Sequence, residues 1–233
     1  MPKTKKMRGP LVSNGRKQGT RAEIVRFLIV CEGEKTEPNY FKAFTDRWSE
    51  VKEIKVTGCG CSTCQLIIEA KKIREKLERE RPVPFDRVWL VFDKDDFKDF
   101  NKAIEDAKKE KMNCAWSNEA FELWYVLHFQ YLVTGVDRKQ YIEMIEDKVR
   151  KASKNKKFKY KKNDVDFYQI LQEHGDEEQA TKRAQRLRGI RGEEKNYAAH
   201  NPRTEVDLLV AELRDPENVL VKIEKTKKKA CEE

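Results

Sequence analysis

The sequence predicts an α/β fold: a four-stranded, mostly parallel sheet flanked by helices, followed by a helical C-terminal portion. Three observations carry that expectation. Between residue 24 and about 132, β-branched apolar runs alternate with segments of helical spacing, as strands joined by helical crossovers do. The two most apolar runs have the continuous hydrophobicity of strands covered on both faces. After Gly135 the strand signal stops, and residues 137–214 pattern as several helices with a lysine-rich break near 151–162.

Val25 to Cys31 is the first strand, stopped at Glu32-Gly33, and a helix comes next from about Glu37 to Trp48. Glu53 to Thr57 makes a second strand that ends at Gly58 and Gly60. A long helix from about Ser62 to Arg81 carries Leu66, Ala70, Ile73 and Leu77 on one stripe, and Pro82 and Pro84 terminate it. Arg87 to Phe92 is the third strand, ending in Asp93-Lys94-Asp95-Asp96. A charged helix over 98–110 leads to a short strand, Asn113 to Trp116. The next helix is expected over Glu119 to Gln130 with Asn118 as its N-cap. Near the C-terminus, Asn201-Pro202 has the form of a helix start with Pro in the first turn. The expected organisation is a basic flexible arm (1–22), an α/β core (23–135), a helical portion packed on it (136–215) and a charged tail (216–233).

Composition narrows the function classes. The 233 residues hold 50 Lys+Arg against 41 Asp+Glu, a formal net charge of +9, while 11 Phe, 7 Tyr and 4 Trp argue for a folded core. No run approaches the eighteen or so apolar residues of a membrane span, and the basic N-terminus has no apolar segment behind it. A cytoplasmic protein without membrane contact is expected, its six Cys present as thiols rather than as a disulfide framework. Phosphate-binding G-x-x-x-x-G-K-[ST], dinucleotide G-x-G-x-x-G and a Ser-His-Asp order are absent from the sequence.

The positive charge is concentrated. Residues 1–22 carry seven Lys or Arg and no acid, and seven lysines lie between Lys151 and Lys162, with Phe158 and Tyr160 among them. Lysines that release counterions from phosphates and rings that stack on bases suit a nucleic acid. Candidate backbone contacts are Lys156, Lys157, Lys159 and Lys161, with Lys35 and Lys94 nearer the acidic residues. The plainer reading of such a run is a solvated surface.

In open α/β sheets, functional groups gather at the carboxyl ends of strands. Glu32 and Glu34 come after the first strand here; Asp93, Asp95 and Asp96 come after the third. Carboxylates that converge repel, so either one is driven to protonate or a cation compensates them. Hard oxygen ligands select Mg²⁺ or Mn²⁺. The structural alternative is that these acids only cap helices. Cys59, Cys61 and Cys64, spaced C-x-C-x-x-C, supply three thiolates for a structural zinc without an evident fourth ligand. The alternative there is a tight turn whose free N–H groups accept a phosphate. Phe121, Trp124 and Leu127 recur at helical spacing and are expected to face the core. Glu122 could join the acidic cluster or pair with a lysine, and His128 could act on a leaving oxygen or serve as a packing residue.

Four segments carry a family resemblance: CEGEKTEPNYF (31–41), VWLVFDKDDF (88–97), SNEAFELWYVLHF (117–129) and NPRTEVDLLVAEL (201–213). A Glu after the first strand and D-x-D after the third resemble the Toprim domain. In their joint order the segments resemble the RloB-like family, which is similar to Toprim nucleases of the overcoming-lysogenisation-defect type. The resemblance implies a Toprim-like fold and a Mg²⁺- or Mn²⁺-dependent nuclease that cleaves phosphodiester bonds in DNA or RNA, in prokaryotic antiviral defence beside other defence-system proteins. It makes Glu32, Asp93 and Asp95 the metal-binding and catalytic set, with Glu37 as a further acidic candidate; Glu122 and His128 stand as catalytic candidates on the reading of their own helix. Glu119 stands where the family usually has Pro, and the cysteine-bearing turn departs from the family's glycine-rich one. The alternatives are a catalytically silent nucleic-acid-binding or adaptor subunit, and a metal enzyme acting on a small phosphorylated molecule.

Overall fold

The run Val25–Cys31 is buried along its whole length, as a strand with sheet neighbours on both edges and helices on both faces must be. In this computed structural model it is β1. The structure describes residues 24–45, 52–95, 99–192, 194–221 and 223. The arm expected over 1–22 and the end of the helix expected to reach Trp48 lie outside them. Strand β1 sits between β2 (Lys52–Gly58) and β3 (Arg87–Asp93), parallel to both, and β3 pairs in parallel with β4 (Asn113–Asn118). Helices α1 (Thr36–Thr45), α2 (Thr63–Glu80) and α3 (Phe100–Lys109) make the three crossovers.

Successive strand side chains point to opposite faces, so the sheet divides two cores. Phe27, Ile29, Trp89, Val91 and Ala115 join α1 and the C-terminal helices on one side; Leu28, Val30, Leu90, Phe92 and Trp116 meet α2 and α3 on the other. The first core is rich in rings: Tyr40 lies within 6.2 Å of Phe41, Phe44, Phe121, Tyr125 and Tyr168, centroid to centroid. Its hydroxyl accepts the Trp124 indole N–H at 2.9 Å.

The sheet has a fifth strand that the sequence did not announce. Arg203–Thr204 forms β5, antiparallel to the end of β4, with Thr204 opposite Ser117 and Arg203 opposite Asn118. The order is β2-β1-β3-β4-β5. Asn201-Pro202, expected to start a helix, instead carries a cis bond and leads into β5, and α8 (Val206–Arg214) begins later. Two residues are too few to show an alternating period. What creates the strand is the open edge of β4, where the Trp116 carbonyl accepts the Glu205 N–H at 2.8 Å.

Asn118 is likewise not a helix cap. It closes β4, and its side-chain amide donates to the Ala198 carbonyl at 2.9 Å in the 3-10 turn Tyr197–Ala199; α4 spans Glu122–Phe129. The C-terminal portion adds α5 (Arg138–Ser153), opened by a capping box between Asp137 and Gln140, then α6 (Phe167–His174) and α7 (Glu177–Arg191). Tyr141, Ile145, Phe167, Leu171 and Leu187 share one continuous core with β1 and β3. The tail expected from 216 begins as helix over 216–221, with Val219 buried in that same core.

The loop after β1 and the end of β2 touch backbone to backbone. A Cβ on Gly58 would lie 2.5 Å from the Gly33 carbonyl oxygen and 2.7 Å from the Glu34 Cα. Neither neighbour can move without displacing the acidic loop. Gly58→Ala is therefore expected to lower stability by about 1–3 kcal/mol, the usual cost of overpacking, read as a lower denaturation midpoint in urea with an unchanged slope.

Candidate active site

Because β1 and β3 are adjacent and parallel, the residues just past their ends emerge side by side. The Glu32 N–H donates to the Val91 carbonyl at 2.8 Å, extending the ladder one residue past β1. The Glu32 carboxylate accepts the hydroxyl of Thr63, the first residue of α2, at 3.0 Å. Asp93 is the last residue of β3 and is buried. Asp95, two residues on, lies in the left-handed region at φ +38. Glu37, in the first turn of α1, is buried against Gly33, where a side chain would collide with its carboxylate. Glu122 opens α4, is 1% exposed and accepts the Tyr160 hydroxyl at 3.2 Å.

The electrostatics tie these five acids into one group. Burial drives the Glu32 carboxyl from its ordinary 4.5 up to about 7; hydrogen bonds from Thr63 and the Asp93 backbone hold it back, and Glu37 and Asp95 push it further. Burial raises Asp93 well above the carboxylate range, reinforced by Glu37 and Glu122 and opposed by Arg138. Burial also raises Glu37, with Glu122 adding to the rise and Lys162 and Arg138 resisting it. Burial and Glu122 push the Tyr160 phenol up, so it stays a proton donor.

One cation stands at the centre. Arg138 places Nη2 3.1 Å from Asp93 Oδ2 and 3.6 Å from Asp95 Oδ2. Sequence reasoning missed it: it is the first residue of α5, in a polar stretch 45 residues past Asp93, and no spacing pattern marks it. Among the described residues, no group of three or more His, Cys, Asp or Glu stands ready-made around a cation position. The donor chemistry nonetheless suits a hard divalent ion. Asp93 Oδ1 is buried without a hydrogen-bond partner among the described residues. Glu32, Asp93 and Asp95 are the residues that would hold such an ion.

Other sequence candidates are placed elsewhere. His128 is buried against Trp124, ring centroids 5.1 Å apart. Its electrostatic neighbours are Asp176 and Arg183, and burial pushes its pKa down to about 3. It is a neutral packing group that the fold does not bring to the carboxylates. Cys59 and Cys61 are joined as a disulfide, which corrects the expectation of thiols and takes two of the three sulfurs proposed for zinc; the Cys64 side chain lies outside the described residues. The N–H groups of Cys59 and Gly60 donate to the Cys31 and Glu32 carbonyls at 3.0 and 2.9 Å. The turn therefore braces the acidic loop, and these donors are not free for a phosphate.

All seven lysines from Lys151 to Lys162 are exposed. Lys156, Lys157 and Lys161 project from the loop, while Lys159 pairs with Glu146 at 3.0 Å. Phe158 and Tyr160, expected as stacking platforms, pack inward instead, Tyr160 with its ring 5.0 Å from Phe167. The loop is pinned beside the acids, where the Thr36 hydroxyl donates to the Lys162 carbonyl at 2.5 Å. A cleft of about 620 Å³ opens there, lined by Lys35, Thr36, Glu37, Gly60 and Lys162. Lys94 is half-buried, with its N–H on the Ser117 carbonyl at 2.9 Å.

Residues 27–213 match the family model described as RloB-like protein, a span holding all five acids and Arg138. The chain belongs to the RloB-like family. No curated protein and no solved structure matches it. Membership in the RloB-like family therefore rests on the chain from β1 to α8, the part that builds the acidic site. No helix among the described residues is long and apolar enough to cross a membrane.

Glu32 gives the site a pH signature. Its folded pKa, about 7, exceeds its ordinary 4.5, so between those values the folded state binds more protons than the unfolded one. The contribution of Glu32 to stability should then fall as pH rises from about 4.5 to about 7 and level off above. In metal-free buffer Glu32→Gln should flatten this decline, measured as melting temperature against pH; parallel curves for variant and parent would refute the assignment.

Proposed function

We propose that the protein is a metal-dependent nuclease of Toprim type that cleaves phosphodiester bonds in DNA or RNA, serving prokaryotic antiviral defence from the cytoplasm. The observation that carries this reading is the convergence of Glu32, Asp93 and Asp95, backed by Glu37 and Glu122, where β1 and β3 end. So many carboxylates in so small a volume are costly unless the site works on a cation or a proton. The place in defence rests on the family resemblance.

Glu32, Asp93 and Asp95 would hold a Mg²⁺ or Mn²⁺ ion, which supplies charge to the scissile phosphate and acidifies water. Glu32 would also be the general base that receives a proton from the attacking water. Tyr160 fixes Glu122 through its hydroxyl, and the buried Glu122 and Glu37 raise the cost of an ionised Asp93, which Arg138 offsets. Lys35 and Lys162, rimming the cleft, hold the phosphates flanking the cut, while Lys156, Lys157 and Lys161 extend the contact. One observation favours the second reading, a silent nucleic-acid-binding or adaptor subunit: Arg138 already neutralises the Asp93–Asp95 pair.

Incubation with mixed DNA and RNA substrates in Mg²⁺, Mn²⁺ or EDTA tests the choice. Cleavage should need the metal, and Asp93→Asn should slow it about 100-fold or more while binding persists. Metal-independent or undiminished cleavage would refute the assignment, and binding without cleavage by the parent would select the adaptor.

The lysine loop has its own test. Replacing Lys156, Lys157 and Lys161 with Ala should weaken binding to all sequences alike. On duplex DNA it should flatten the plot of log K against log salt by as much as about 2.7 units. An unchanged slope would leave the loop a solvated surface.

A further inference from the structure

Arg138 sits where an arginine is not locally favoured. As the first residue of α5 it faces the positive end of a helix dipole, and its Nε is buried without a hydrogen-bond partner among the described residues. What holds it is the acid pair: Nη2 reaches Asp93 Oδ2 at 3.1 Å and Asp95 Oδ2 at 3.6 Å. Asp93, meanwhile, keeps its other oxygen buried and unpartnered. The guanidinium thus supplies one positive charge and a hydrogen bond on one side of a carboxylate cluster that remains short of charge. Its side chain is 31% exposed, so it has a path to solvent.

A divalent cation on Asp93 and Asp95 would compete with that guanidinium for the same oxygens and repel it at close range. A planar guanidinium displaced by a few ångströms still faces the site, and the anion it matches best after a carboxylate is a phosphate. We propose that Arg138 is a latch on the acidic site: in the free protein it neutralises Asp93 and Asp95, a divalent cation displaces it, and the released guanidinium binds the substrate phosphodiester. The latch rests on the metal-centre reading above, and it makes one observation serve both states, since Arg138 silences the site only until the cation arrives.

The test measures metal binding without any cleavage. Mn²⁺ is titrated by calorimetry into the full chain as parent, Arg138→Gln, Arg138→Lys and Asp93→Asn, in the absence of nucleic acid. Removing a competing charge should tighten Mn²⁺ binding by about tenfold or more in Arg138→Gln. Arg138→Lys, which keeps the charge but exchanges the planar guanidinium for a compact, more strongly hydrated ammonium on a shorter reach, should tighten it less, and Asp93→Asn should weaken it. Arg138→Lys retains the neutralising charge, so it decides the matter if Arg138→Gln does not fold. In Ca²⁺, a labelled single-stranded oligonucleotide should bind Arg138→Gln more weakly than the parent, as fluorescence anisotropy reads.

Equal or weaker Mn²⁺ affinity in the folded arginine variants overturns the latch while leaving the nuclease reading to stand on parental cleavage. Tighter Mn²⁺ binding with undiminished oligonucleotide binding overturns the phosphate role of Arg138. If no form, parent included, binds Mn²⁺, the metal centre and the latch fall together.

Discussion

Among the described residues, the carboxylates of Glu32, Glu37, Asp93, Asp95 and Glu122 crowd the carboxyl end of this sheet, and the guanidinium of Arg138 lies among them. That imbalance is the constraint on which the rest of the molecule depends. Glu37, Asp93 and Glu122 are buried, a placement that costs several kcal/mol per ionised group unless protons, hydrogen bonds or cations intervene. Each remedy is visible in part: Glu32 accepts Thr63, Glu122 accepts Tyr160, Asp93 pairs with Arg138, and the pKa values of Glu32, Glu37 and Asp93 rise. The scaffold that tolerates the remainder is a sheet with apolar cores on both faces. Its two central strands stop one beside the other because they are parallel and in register.

The same imbalance explains why the helical C-terminal portion is inseparable from the site. Arg138 comes from α5, Tyr160 and Lys162 from the loop after it, and all three act on acids from the α/β core. The hydrogen bond from Thr36 to the Lys162 carbonyl stitches that loop to α1. A boundary at residue 135 therefore divides the sequence by pattern but not the chemistry. The α/β core alone would hold the acids without their resident cation. Chain after Gly135 is needed to make the acid cluster tolerable in a folded protein.

Strands β1 and β3 were legible because apolar runs that stop at acidic residues leave little choice of conformation, and Glu32 and Asp93 could be inferred from their position at the strand ends. Three things escaped for identifiable reasons. Strand β5 is two residues long, below any period, and exists only because β4 offers Trp116 as a partner. Asn118 has the chemistry of a helix cap, but its amide was drawn to the Ala198 carbonyl in a turn eighty residues later. Arg138 is one of many basic residues in a basic chain, and only the fold singles it out. Phe158 and Tyr160 went the other way: rings among lysines suggested stacking on bases, yet the apolar gap beside Phe167 and the carboxylate of Glu122 claimed them first.

Arg138 also bears on whether the acidic cluster is a relic or a working site. A purely structural ion pair is most stable when both partners satisfy their hydrogen-bonding groups, because each buried orphan costs about 1–3 kcal/mol. Here Asp93 Oδ1 and Arg138 Nε both stay unpartnered among the described residues. Glu37 and Glu122 sit close enough to raise Asp93 further, although a structural bridge needs neither. A salt bridge serving the fold alone would be more stable with those two acids replaced by apolar residues of similar size. Their presence, with an open acceptor on one side and an open donor on the other, argues for a pair held in readiness for a second charge, and so for the metal-dependent reading over the silent one.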